Sequence, residues 1–219
     1  MAELRTEEEQ VEAIKHWFKQ NGLSLVAGIA IAGAGVLGWN AWQDYQVSQA
    51  EAASMRYQQL LDLAGRDTLD EANLTRALGL VDEINEEHGD TLYADLALLL
   101  EARLSVRSED MAAARIALAD IVDTSEHDYL RDVARLRLAR LLIAEGEPEA
   151  ALSQLDSDIA DSLSPQQANI RGDAYMALDQ IEDARDAWQE AMALSDTHEQ
   201  PLYGVQLKLD NIGAEDTGL

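Results

Sequence analysis

Four histidines, His16, His88, His127 and His198, are the side chains of this sequence best suited to proton transfer or metal ligation near neutral pH. Their spacing does not assemble that chemistry. None belongs to an HExxH pair, and none stands at a useful helical spacing from a carboxylate. Asp156, Asp158 and Asp161 gather carboxylates that could attract a cation, but they lack the glycine turn and closing glutamate of a calcium loop and read as a solvated face. Gly33-Ala34-Gly35-Val36-Leu37-Gly38 fits GxGxxG, yet no strand precedes it and it lies within an apolar run, so it is not a dinucleotide site. No nucleophile elbow or phosphate-binding glycine loop occurs in the remainder, and a triad would have to be assembled by folding from residues distant in sequence. The absence of cysteine excludes disulfides, thiolate metal sites and cysteine catalysis. The residues therefore point to a non-enzymatic protein without cofactor, metal or small-molecule substrate.

The elements that position everything else begin with Gln20 to Gln43, a 24-residue stretch without charge in a chain of 42 acidic and 16 basic residues. Its apolar centre, Leu23 to Trp42, is about 30 Å long as a helix, roughly the hydrocarbon thickness of a bilayer. Trp17 and Phe18 border it on one side and Trp39 and Trp42 on the other, where amphipathic rings favour membrane interfaces. Ala30, Ala34 and Gly38 recur every fourth residue, a face of small side chains that admits a second membrane helix. Val11, Ile14 and Phe18 form an apolar stripe that suits an amphipathic stub along the interface. Arg5, Lys15 and Lys19 precede the span and the next basic residue is Arg56, which places the N-terminus in the cytoplasm and the remainder outside. A cleaved signal peptide is the competing reading, since Ala30-Ile31-Ala32 and Ala32-Gly33-Ala34 offer small-residue sites. The long acidic leader and the length of the apolar run argue against it.

Beyond the span stand 37 acidic and 13 basic residues, a balance that repels nucleic acid and anionic lipid. With only three lysines, the composition resembles a salt-adapted surface; a basic client is the alternative reason for the acidity. Periodicity predicts helices over 45–64, 70–87, 91–106, 110–122, 129–145, 148–157, 165–178, 181–194 and 201–211, and no strand. Pro148, Pro165 and Pro201 fall near predicted helix starts, with Ser164 as a cap. Gly172, Tyr175, Ala184, Trp188 and Ala191 follow the small–large–small spacing of a tetratricopeptide repeat, and Ala151 with Leu155 repeats it one unit earlier. Ala114 with Leu118 and Ala77 with Val81 give looser units, so four helix pairs are expected. The fold class is all-α: one N-terminal transmembrane helix followed by a tetratricopeptide-repeat-like solenoid. The expected divisions are a stub at 1–21, a span at 22–43, repeats at 44–212 and a tail at 213–219. Such arrays bind proteins on a concave face, where helix phase places Arg140, Ile143, Asn169, Asp173 and Met176.

Glu9 to Lys15, Trp17-Phe18, Asn21-Gly22 and the span end Gly38-Trp39 begin a second pattern. It continues through Leu136 to Arg140 and Arg171-Gly172-Asp173-Ala174 to Lys208-Leu209-Asp210-Asn211-Ile212. Together these segments resemble the YfgM family of ancillary SecYEG translocon subunits, in one order from about Glu8 to Ile212. The resemblance implies a single-pass inner-membrane protein with a periplasmic repeat domain. Its expected partners are the SecYEG translocon, a PpiD-like periplasmic chaperone and exported client proteins, with influence on the Rcs envelope-stress relay through its response regulator. The strong acidity of the outer domain departs from the family. A membrane-anchored repeat scaffold for wall or division assemblies is the alternative function.

Overall fold

The computed structural model describes residues 7–66 and 70–216; Arg5 and residues 217–219 of the expected tail lie outside them. Among the described residues there are nine α-helices, one 3₁₀ turn and no strand: α1 (Glu7–Ala64), α2 (Glu71–His88), α3 (Leu92–Arg107), α4 (Met111–Thr124), α5 (Asp128–Ala144), α6 (Pro148–Leu155), α7 (Ser164–Ala177), α8 (Ile181–Thr197) and α9 (Val205–Asp216). The chain divides into two compact units, residues 1–51 and 52–219.

Residues 7–51 belong to α1, which has no break at the expected boundaries after residue 21 and residue 43. Gly22 weakens a helix by about 1 kcal/mol relative to alanine, but the residues around it are helix-compatible and no proline intervenes before Pro148. The predicted helix at 45–64 is accordingly the C-terminal part of α1. Ala53 is the first buried residue of the described chain.

In the second unit, local signals start several of the helices. The Asp70 carboxylate accepts from the Asn73 N–H at 2.7 Å and opens α2; Asp110 does the same for α4 through the Ala113 N–H at 3.0 Å. Pro148 stands at the first position of α6, where its missing N–H costs nothing. Four turns share one closure. Glu109, Gly146, Asp179 and Glu199 adopt φ of 65°, 82°, 58° and 53°. In each, the following N–H reaches back to the carbonyl five residues earlier: Asp110 to Ser105, Glu147 to Leu142, Gln180 to Tyr175 and Gln200 to Ser195, at 2.8 to 3.0 Å. Only one of the four is glycine, so the left-handed turn is imposed by helix packing and these bonds as much as by residue type.

Helix pairing rests on small residues in register. Ala77, Ala114, Ala151 and Ala184, on α2, α4, α6 and α8, are each 0% exposed, and Val81, Leu118, Leu155 and Trp188 are buried one turn further on. Three apolar clusters succeed one another along the array. The first joins Leu60 and Leu63 of α1 to α2 and α3; the second runs from α3 to α7; the third joins α7, α8 and α9 through Trp188, Val205 and Ile212. At the tightest approach, a Cβ placed on Gly172 of α7 would lie 2.4 Å from Cδ1 and Nε1 of Trp188. The glycine is therefore required by volume, since Trp188 is itself 3% exposed and cannot withdraw freely.

Two expected starts are corrected. Ser164 lies inside α7, and the position before the helix is Leu163, which ends the 3₁₀ turn Asp161–Leu163 and offers no capping side chain. Pro201 does not open the last helix. Residues 201–204 form an irregular link, because the turn at Glu199 closes α8 and Gly204, at φ 84°, redirects the chain before Val205. The same helix runs on to Asp216, past the expected end at 211.

Acidic residues of α2 and α4 crowd Glu101 of α3. Burial first, then Asp82 and Asp120, push the Glu101 carboxyl above its usual range. A carboxyl raised in the folded state weakens folding above the ordinary carboxylate range, and the penalty disappears as pH falls below about 4. Glu101→Gln is thus expected to stabilise the repeat unit at pH 7 and to match the parent near pH 3, by denaturant unfolding. Gly172→Ala is expected to cost about 1–3 kcal/mol by overpacking. The same change beside Trp188→Leu should cost less than about 1 kcal/mol, which a double-mutant cycle measures.

Candidate functional site

The surface of the first unit is apolar where soluble proteins are polar. Helix α1 is the one helix among the described residues long and apolar enough to cross a membrane, and none of that apolar window is buried. Ala30, Ala34 and Gly38 are exposed along it, and a Cβ on Gly38 would meet nothing within 4 Å. The bordering aromatics pair: Trp17 and Phe18 edge to face with centroids 5.5 Å apart, Trp39 and Trp42 tilted at 5.1 Å. Polar groups near the first border bond within the helix, as the Asn21 amide donates to the Trp17 carbonyl at 3.0 Å. Such a segment can lie in lipid without an unpaired backbone group.

The second unit holds a cleft of about 460 Å³ between α3, α4 and α5. Its floor is apolar, formed by Ala102, Leu118 and Leu141 with Val106 and Met111 at its edge. Four arginines ring it: Arg103 and Arg107 one turn apart on α3, Arg137 and Arg140 on α5. None of the four has a carboxylate within ion-pair distance among the described residues. Elsewhere arginine finds a partner readily: Arg56 reaches Glu87, Arg115 reaches Glu147, Arg135 reaches Asp132, Arg171 reaches Glu190 and Arg185 reaches Glu182. In the cleft, Arg107 donates instead to the Ala64 carbonyl at 3.1 Å and Arg137 to the Leu99 carbonyl at 3.4 Å. Partial desolvation, then Arg140 and Arg103, hold the Arg137 guanidinium below its usual range, against a small opposing effect of Tyr57.

Of the five residues expected on a groove, the structure brings only Arg140 into this cleft. Ile143 packs against the central apolar cluster and Met176 against the one that joins α7, α8 and α9. Asn169 and Asp173 serve the last helix. Lys208 of α9 donates to both, at 2.9 Å to Asn169, and the Trp188 indole N–H reaches the Asn169 carbonyl at 3.2 Å and Asp173 at 3.1 Å. The Lys208 ammonium also stands 5.5 Å from the Trp188 ring centre, a cation–π contact. Of the residues expected to set the repeat packing, Ala151, Leu155, Gly172, Ala184, Trp188 and Ala191 are buried, and Tyr175 packs partly buried against the last cluster. Arg103, Arg107 and Arg137 escape sequence reading, although a signal exists. Arg103 follows Ala102 as Arg140 follows Ala139, so the two arginines occupy one repeat position.

Folding also makes a Ser–His–Asp constellation that no spacing reveals. The buried Asp95 of α3 accepts from the Ser125 hydroxyl at 2.6 Å and contacts His127 Nδ1 at 2.8 Å through the same oxygen. This is not nucleophile activation. The serine proton points at the carboxylate and not at the imidazole, the reverse of a triad. The contact fastens the α4–α5 loop to α3. Asp156, Asp158 and Asp161 lie in the α6–α7 connection, exposed, and among the described residues no three His, Asp or Glu side chains are placed to hold a metal.

Sequence comparison agrees with this architecture. Residues 15–214 match the tetratricopeptide repeat-like domain family. Three relatives carry the name ancillary SecYEG translocon subunit. The Aggregatibacter actinomycetemcomitans protein is 31% identical over 97% of this chain and all of its own length. That of Escherichia coli is 29% identical over 94% of this chain and 96% of its own, and that of Haemophilus influenzae 26% over 94% and 97%. No solved structure matches the chain. With its one membrane-length helix and its register of paired helices, the chain belongs to the YfgM family of ancillary SecYEG translocon subunits, whose members carry a tetratricopeptide repeat-like domain.

Proposed function

We propose that this protein is a non-enzymatic adaptor of the SecYEG translocon, anchored in the inner membrane by the span within α1. Its N-terminus faces the cytoplasm and its repeat domain the periplasm. The observation that carries the reading is near-full-length similarity to translocon subunits that takes in the uncharged span as well as the repeats. A repeat domain alone would suit many assemblies. Tethering one beside an export channel raises its effective concentration for emerging chains, so weak binding suffices. In this reading the domain passes exported proteins to periplasmic chaperones, a PpiD-like prolyl-isomerase-type chaperone among them. The influence on the Rcs response regulator follows from the state of that traffic.

The small-residue face of the span supplies the membrane contact. Replacing Ala30, Ala34 and Gly38 with leucine is expected to reduce translocon recovery from mild detergent at least fivefold while leaving the repeat domain folded. Unchanged recovery would move the contact to the outer domain, and recovery of wall synthases in place of translocon subunits would favour the scaffold reading. Orientation is tested separately, because the native chain has no cysteine. A thiol introduced as Gln180→Cys, at an exposed turn, is expected to react with a membrane-impermeant maleimide once the outer membrane is opened. One introduced as Gln10→Cys should react only after lysis. The reverse pattern would invert the topology.

A further inference from the structure

We propose that the cleft between α3 and α5 binds an extended peptide segment in which carboxylate side chains flank apolar ones. This names the ligand class of the adaptor described above and rests on that reading for its setting. Three observations converge on it. The floor is apolar and the rim basic, so a ligand must offer both characters. Arg103 and Arg140 occupy equivalent positions on successive helix pairs, with Arg107 one turn beyond Arg103 and Arg137 one turn before Arg140, so guanidinium groups recur along the cleft as side chains recur along an extended chain. The four also form the one cluster of arginines without acid partners among the described residues of a molecule of net charge −26: Arg66 and Arg76 lack one too but lie apart from the cleft, while Arg56, Arg115, Arg135, Arg171 and Arg185 each meet a carboxylate.

Leaving arginines uncompensated among 42 acidic residues has an electrostatic cost, which shows in the mutual effect of Arg103, Arg137 and Arg140. A carboxylate that enters the cleft removes that repulsion and gains charge-assisted, frequently bidentate hydrogen bonds. The acidic remainder of the domain does not prevent this, because its field is screened within about 8 Å at physiological ionic strength. A narrow peptide therefore meets the arginines as its nearest charges. A bilayer surface is disfavoured, since a plane of anionic headgroups would face the acidic surroundings of the cleft as well as its rim.

The test uses the full-length protein in nanodiscs of zwitterionic lipid and a short fluorescent peptide alternating glutamate with leucine. Its binding, read by fluorescence anisotropy, is expected to weaken with salt and to fall at least tenfold when glutamine replaces glutamate in the peptide. It should fall as much in the triple variant Arg103→Gln, Arg137→Gln, Arg140→Gln. Arg107 is left in place because it also holds the Ala64 carbonyl. Arg185→Gln, on the separate helix α8, should bind as the parent does, and circular dichroism checks that the triple variant keeps its helix content. Equal binding of the glutamine peptide on the unmodified protein would overturn the proposal. So would arginine-dependent binding to anionic vesicles in preference to the peptide. Translocon recovery is measured on the same triple variant: loss of peptide binding with recovery intact supports the cleft, whereas failed recovery from the parent itself would refute the adaptor reading alone.

Discussion

Close approach of paired helices at one small residue per repeat is the constraint on which the second unit depends. Ala77, Ala114, Ala151 and Ala184 are fully buried, and Gly172 has no room for a methyl group beside Trp188. A larger residue at any of these positions would push two helices apart and shift every later contact, because each pair packs only on its neighbours. The same register aligns positions across repeats. It is why Arg103 on α3 and Arg140 on α5, separated by the repeat length, end on the rim of one cleft.

Charge is organised on top of this packing. Most acids are exposed and several are spent on local arginines, while Asp95 and Asp132 are buried and used to fasten loops. Asp132 accepts from the Ala160 N–H at 3.0 Å and Asp95 from Ser125 and His127. Buried carboxylates of this kind are tolerated because each is bonded. The last helix is secured differently, by Lys208 between Asn169, Asp173 and the Trp188 ring, which closes the array with polar contacts at the end opposite α1's contribution to the core. The cluster of arginines left without acid partners among the described residues is the arginine cleft, whose floor is apolar.

Helix count, repeat register and the membrane-length segment were legible in the sequence because each follows from local volume or hydropathy. Ala151 and Ala184 announce themselves through spacing, and Gln20 to Gln43 through the absence of charge. The start of α9 was not legible, since Pro201 resembles a helix opener until the turn at Glu199 and the left-handed Gly204 are known. Side-chain pairing was hidden for a more general reason. Nothing in the order of residues shows that Arg115 meets Glu147 while Arg103 meets no acid, or that His127 meets Asp95, because those outcomes depend on which helices lie side by side. Asn169 and Asp173, expected on the concave groove, accept in the structure from the chain's own Lys208.

The central claim is that a translocon-anchored repeat array presents the arginine cleft to passing chains. Photocrosslinking in living cells tests it most directly, with the photoreactive side chain placed at Val106, on the cleft edge, and at Ile116, exposed on α4. The expected result is adducts from Val106 to exported polypeptides, at segments where acidic residues flank apolar ones, with none of these from Ile116. The same adducts at both positions, or none to exported chains from Val106, would contradict it.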